Sequence, residues 1–179
     1  ANNLAIRGVG MRASAGPRHV IATAVEHISV LNACRDLEKA GAAVTLLPVD
    51  GEGCVNPDEV RRALRPETAL VSIGAACGEI GTTQPLTDIA RITRAAGVPL
   101  HVDAVGALGR MALAADAMGF DLVTLSSNDL YGPPGAGALW VRPGLKILPQ
   151  MLGGGQEGGY RSGTENLPAL VGLGVAAEL

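Results

Sequence analysis

The chain has 179 residues, 47% hydrophobic, 17% charged and 2% aromatic, with a formal net charge of −3. That is long enough for one domain with a full core, and too apolar for a disordered segment. No basic cluster marks a nucleic-acid partner, and no apolar run reaches bilayer-spanning length.

Residues 1–11 carry apolar side chains at helical spacing and read as a helix without an upstream cap. His19–Thr23 reads as a strand. A helix opening at Glu26–His27 follows and stops at Gly41. Val44–Val49 is a second strand, and Asp50–Gly53 a turn. Asn56-Pro57-Asp58-Glu59 has the form of a helix start, with Asn as cap and Pro at the first position. Ala69–Gly74 is a third strand, and Pro85–Ala96 an amphipathic helix closed by Gly97.

Strands follow at Leu100–Asp103, Leu122–Leu125 and Gly137–Arg142. Gly153–Gly155 begins a loop expected to be mobile. Thr164 is placed to cap a last helix, Glu165–Leu179. The alternation of strand and helix predicts an α/β fold, a largely parallel sheet with helices on both faces. Residues 1–179 read as a single domain, the central part of a longer protein.

Cys34, Cys54 and Cys77 are an odd set without CxxC spacing. They read as buried or free thiols in a reducing cytoplasm, and no metal site is expected. No GxGxxG follows the first strand and no Walker motif occurs, which removes a nucleotide-binding reading.

In an open parallel sheet, ligands bind beyond the carboxyl ends of the strands. Asp103 stands at such an end, and an Asp there serves a cap or turn as readily as a ligand. His101 shares its face. One strand on, Leu122–Leu125 runs into Ser126-Ser127-Asn128-Asp129-Leu130-Tyr131-Gly132-Pro133.

These residues, with Asn2-Asn3-Leu4-Ala5-Ile6, Glu26-His27, Glu79-Ile80-Gly81, His101-Val102-Asp103-Ala104 and Arg161-Ser162-Gly163-Thr164, resemble the cysteine desulfurases. Those belong to the class V aminotransferase group of pyridoxal phosphate (PLP) enzymes. The resemblance covers nearly the whole chain. It implies the large domain of the PLP-dependent transferase fold and a role in sulfur mobilisation for iron–sulfur clusters.

The resemblance also implies roles for single residues. His27 would stack on the cofactor ring, Asp103 would keep the ring nitrogen protonated, and Ser126 would bind the phosphate. Thr164 would reach the phosphate of a partner subunit, which implies a homodimer. An iron–sulfur scaffold protein is the other implied partner. The family's phosphate loop would lie before Ala1, and its sulfur-carrying Cys and small domain after Leu179.

Departures from the family pattern stand beside these matches. The family loop reads Ser-Gly-His-Lys, its Lys holding PLP as a Schiff base; Asn128 and Asp129 take the His and Lys positions. Gly78 and Gly106 stand where the family has an Asn and a Gln that bond the ring hydroxyl. Lys39 and Lys146 are the chain's lysines, and neither lies near Asp103 in the expected fold. The chain is therefore expected to bind PLP without a covalent link or not at all, and to be catalytically silent. The alternative is a working desulfurase or related aminotransferase that relies on parts or partners outside this chain. In an emptied pocket, Asp103 and Asp129 are expected to face one another.

Overall fold

A computed structural model describes residues 1–11 and 18–179. Its main sheet has six strands in the order β2-β1-β3-β6-β7-β8: β1 (His19–Thr23), β2 (Ala43–Leu47), β3 (Thr68–Gly74), β6 (Leu100–Asp103), β7 (Leu122–Ser126) and β8 (Gly137–Val141). Neighbours from β2 through β7 are parallel, and β8 closes the edge antiparallel to β7. Two short strands, β4 (Ala76–Cys77) and β5 (Thr82–Thr83), form a separate hairpin. The sheet matches the α/β expectation; the antiparallel edge and the hairpin are additions to it.

Alternation along each strand sends one set of side chains to each face. Val20, Ala22, Leu70 and Leu122 pack under α1 (Asn2–Gly10) and α2 (Ile28–Lys39). Ile21, Val71, Ile73, Leu100 and Val102 pack under the other layer. That layer holds α3 (Pro57–Ala63), α4 (Leu86–Ala95) and α5 (Ala115–Met118). Helix α4 buries Leu86, Ile89, Ala90, Ile92 and Thr93, the spacing of one helical face. Helices α1 and α2 approach closely because Gly10 has no side chain. A Cβ there would meet Leu37 Cδ1 at 2.5 Å.

Helix starts follow local chemistry. Asn56 caps α3 by accepting from the Asp58 amide at 2.9 Å. Glu26 and His27 stand before α2 rather than within it: the Glu26 carboxylate is engaged elsewhere, and the His27 ring caps the helix by accepting from the Ser29 amide. Helix α6 (Leu167–Glu178) is capped by Asn166, which accepts from Ala169, and not by Thr164. Most of α6 is exposed; Ala169 and Leu173 are its buried residues.

Polar side chains run across the sheet in two rows. His19 bonds Thr68 and Thr45, both at 2.8 Å. His101 bonds Ser72 at 2.8 Å and Thr124 at 2.9 Å. Burial holds His101 neutral, its pKa lowered to about 3. A neutral ring offers one donor and one acceptor, which the two hydroxyls satisfy.

Candidate functional site

The chain leaves β1 for β2 on one side and returns to β3 on the other, so the winding reverses between β1 and β3. A crevice opens at the carboxyl ends beside such a reversal. Thr23, Gly74, Asp103 and Ser126 end β1, β3, β6 and β7. All of them line a cavity of about 760 Å³, within the size range of small-ligand pockets. Asn2, Glu26, His27, Ser29, the hairpin residues Ala76–Glu79, Val105, Gly106 and Asp129 also line it.

Asp103 is buried. Its Oδ1 accepts from the Val105 amide at 3.1 Å, and its Oδ2 accepts from Asn2 Nδ2 at 2.6 Å. The same Nδ2 donates to Ser29 Oγ at 2.9 Å. Ser29 then reaches His27 Nδ1 twice, by its hydroxyl at 2.7 Å and its backbone amide at 3.2 Å. A backbone amide only donates, so Nδ1 accepts and a neutral His27 carries its proton on Nε2. Asp103, Asn2, Ser29 and His27 thus form one continuous polar run that orients the imidazole. The roles of Asn2 and Ser29 escape a sequence reading, because small polar residues at helix starts look like local caps.

Glu26 is also buried, at 8% exposure. Its Oε1 accepts from the Thr23 hydroxyl at 2.7 Å and the Gly74 amide at 3.0 Å, which leaves Oε2 for a proton. Burial is the main cause that pushes its pKa up to about 7, with the Asp103 charge adding to it and the Thr23 and Gly74 bonds opposing it. No sequence motif marks Glu26 as ionisable within a pocket; the one signal was its place beside His27.

The structure brings His27, Asp103, Ser126 and Asp129 together on one cavity, with Gly78 and Gly106 on its rim. Asn128 and Thr164 are exposed and stand outside the lining. His101 lies beneath the floor rather than in the wall. Gly78 has open space around it, whereas a Cβ on Gly106 would meet the Ala76 carbonyl oxygen at 2.6 Å. Among the described residues, the lining contains no lysine and no arginine. Lys39 ends α2 and Lys146 follows β8.

The thiols divide by setting. Cys34 is buried, and burial first, then the Glu26 and Glu38 charges, push its thiol up to about 12. Such a thiol is inert at neutral pH. Burial, Asp50 and Glu52 raise the Cys54 thiol in the same direction. Cys77 lines the cavity. Among the described residues, no group of His, Cys, Asp and Glu is arranged to hold a metal ion, and no helix is long and apolar enough to cross a membrane.

The Aminotransferase class-V family profile matches residues 1–179. The chain belongs to the class V aminotransferase family. Within it the likeness is to cysteine desulfurases. Cysteine desulfurase IscS 1 of Archaeoglobus fulgidus is 46% identical over 179 residues, covering 100% of this chain and 47% of that protein. Cysteine desulfurase IscS of Dictyoglomus turgidum is 44% identical, with 100% and 45% covered. Among solved structures, SspA in complex with cysteine superposes with a TM-score of 0.95 at 40% identity, covering 99% of this chain and 52% of that one. The chain thus spans about half the length of the class V relatives it matches.

Proposed function

We propose that this chain is the cofactor-side domain of a cysteine desulfurase-like protein, linked to sulfur mobilisation for iron–sulfur cluster assembly, and that by itself it is catalytically silent. The carrying observation is Asp129 on the cavity wall, in a lining without lysine. PLP is held in its family as a Schiff base, and an aldehyde needs an amine for that bond. A carboxylate forms no imine.

The rest of the cavity fits a ring better than it fits that link. His27 presents an oriented imidazole, Asp103 a buried carboxylate and Ser126 a hydroxyl. When bound, PLP supplies an electron sink for a carbon that loses a proton. In this chain His27 and Asp103 would hold the ring, and nothing would hold its aldehyde carbon. Gly78 and Gly106 give the ring hydroxyl no side-chain partner. We place the protein in the cytoplasm, as a homodimer that docks an iron–sulfur scaffold; the resemblance alone supports these statements.

The test is reduction. Protein incubated with PLP should stay colourless, and borohydride should fix no pyridoxyl group on a residue that lines the cavity. A pyridoxyl group mapped to the cavity, rather than to Lys39 or Lys146 outside it, would show that a Schiff base forms there and would sink the proposal. The second reading, a working desulfurase completed by another polypeptide, draws on the intact run from Asp103 to His27. It expects sulfide release from cysteine once that polypeptide is added.

A further inference from the structure

We infer that Asn2 and Ser29 are positioning residues that fix the tautomer of His27, so that its neutral ring faces a ligand with an N–H donor at Nε2 rather than with a lone pair. A ligand group that meets Nε2 must then accept a hydrogen bond, as a carbonyl or carboxylate oxygen does. The inference needs only the polar run between Asp103 and His27, and it holds whether or not a Schiff base forms at residue 129.

The run has one direction, and Asn2 is its source. The side-chain amide carries two N–H groups. One goes to Asp103 Oδ2 at 2.6 Å and the other to Ser29 Oγ at 2.9 Å. The opposite orientation of the amide would set its oxygen against the Asp103 carboxylate, acceptor against acceptor. The observed orientation carries a cost of its own. Asn2 Oδ1 is buried without a hydrogen-bond donor among the described residues, and native structures rarely leave an acceptor so. The two bonds from Nδ2 hold the amide in place despite that cost.

Ser29 passes the direction on. Its Oγ receives the Asn2 amide, so its own proton cannot point that way and lies toward His27 Nδ1, 2.7 Å off. The Ser29 backbone amide donates to the same nitrogen at 3.2 Å. Two donors converge on Nδ1, and the bond made at one ring nitrogen decides which of the two carries the proton. Moving the ring proton to Nδ1 would set it against the Ser29 amide N–H. The hydroxyl would accept from Asn2 and from Nδ1 together, and its proton would have to find another acceptor. Asn2 thus acts on His27 through Ser29. Without its amide the hydroxyl can turn toward the vacated space, and Oγ can accept from an Nδ1–H. His27 lines the cavity, so the tautomer set by this run is the one that a ligand meets.

Ring-nitrogen NMR shifts of the histidines, recorded where the imidazoles are neutral, read each tautomer directly, and His27→Gln identifies the His27 signals. The wild type is expected to hold the His27 proton on Nε2. Asn2→Asp keeps the shape of the side chain and puts an acceptor where the donor stood; Asn2→Ala opens the same space to water. Each of these, and Ser29→Ala, is expected to lower the ratio of Nε2–H to Nδ1–H by about two- to tenfold, the range that one hydrogen bond commands. Ser29→Thr is expected to keep the wild-type ratio. His19 and His101 are held by hydroxyls outside the run, so their unchanged signals select the variants that remain folded. Residues that merely packed α1 against α2 would alter stability and leave the His27 ratio alone. A proton on Nδ1 in the wild type, or a ratio indifferent to the Asn2 variants or to Ser29→Ala, overturns the inference.

Discussion

Glu26→Gln should change how stability depends on pH. The ordinary carboxyl value of 4.5 is raised to about 7 in the folded chain, chiefly by burial. At about 1.36 kcal/mol per decade of acidity, that interval is worth roughly 3 kcal/mol. The sign follows from proton counting. Between pH 4.5 and 7 the native state keeps a proton that the unfolded chain releases, so stability falls as pH rises. Below this window both states are protonated and the contribution is whole. Above it both are ionised, and the native state carries a buried carboxylate near Asp103 and beside the neutral Cys34 thiol.

Glutamine keeps an oxygen for Thr23 and Gly74 and cannot ionise. The variant should match the wild type near pH 4.5 and exceed it by about 3 kcal/mol at pH 8. Urea denaturation at both values, read as the difference between the two proteins, cancels the contribution of groups common to both. A difference that stays constant with pH would show that Glu26 titrates normally in the fold, and the burial argument would fail.

The polar run should be energetically coupled. Asn2→Ala and Ser29→Ala, singly and together, should give a coupling of about 0.5–1.5 kcal/mol in denaturation, whereas strict additivity would deny the run. At the rim, Gly106→Gln should cost about 1–3 kcal/mol, because its Cβ meets the Ala76 carbonyl. Gly78→Asn should be nearly neutral, because nothing lies within 4 Å of its added Cβ; thermal melts of both variants decide. Asp129→Lys alone should restore little PLP binding by absorbance titration, since Gly78 and Gly106 still leave the ring hydroxyl without partners.

Much of the fold was legible because buried parallel strands announce themselves. His19–Thr23 and Leu100–Asp103 are short aliphatic runs between breakers, and the structure places both at those bounds. Direction is a different matter. Gly137–Arg142 reads as a strand and the structure forms one over Gly137–Val141, but its antiparallel pairing is set by the path of residues 127–136, which periodicity does not carry. The hairpin strands Ala76–Cys77 and Thr82–Thr83 are too short to show any period. The start of α2 was read early because Glu26 and His27 have helical spacing to Val30. Contacts from Thr23 and Gly74 hold Glu26 outside the helix instead.

Of the site, strand ends are readable and contacts across the chain are not. Asp103 and Ser126 follow from where apolar runs stop. The bond from Asn2 to Asp103 spans 101 residues, and no local pattern predicts it. Gly106 shows the limit most clearly. By resemblance it is a missing side chain, a ligand lost from a ring hydroxyl. In the structure it is also a contact, because the backbone of the hairpin at Ala76 occupies the space that a Cβ would need. Bare glycine at 106 and the path of the hairpin are therefore one feature rather than two. A glutamine put back at 106 must first move the hairpin that also carries Gly78 and Glu79. That is why residue-by-residue restoration of this cavity should fail where replacement of the hairpin and residue 106 together would succeed.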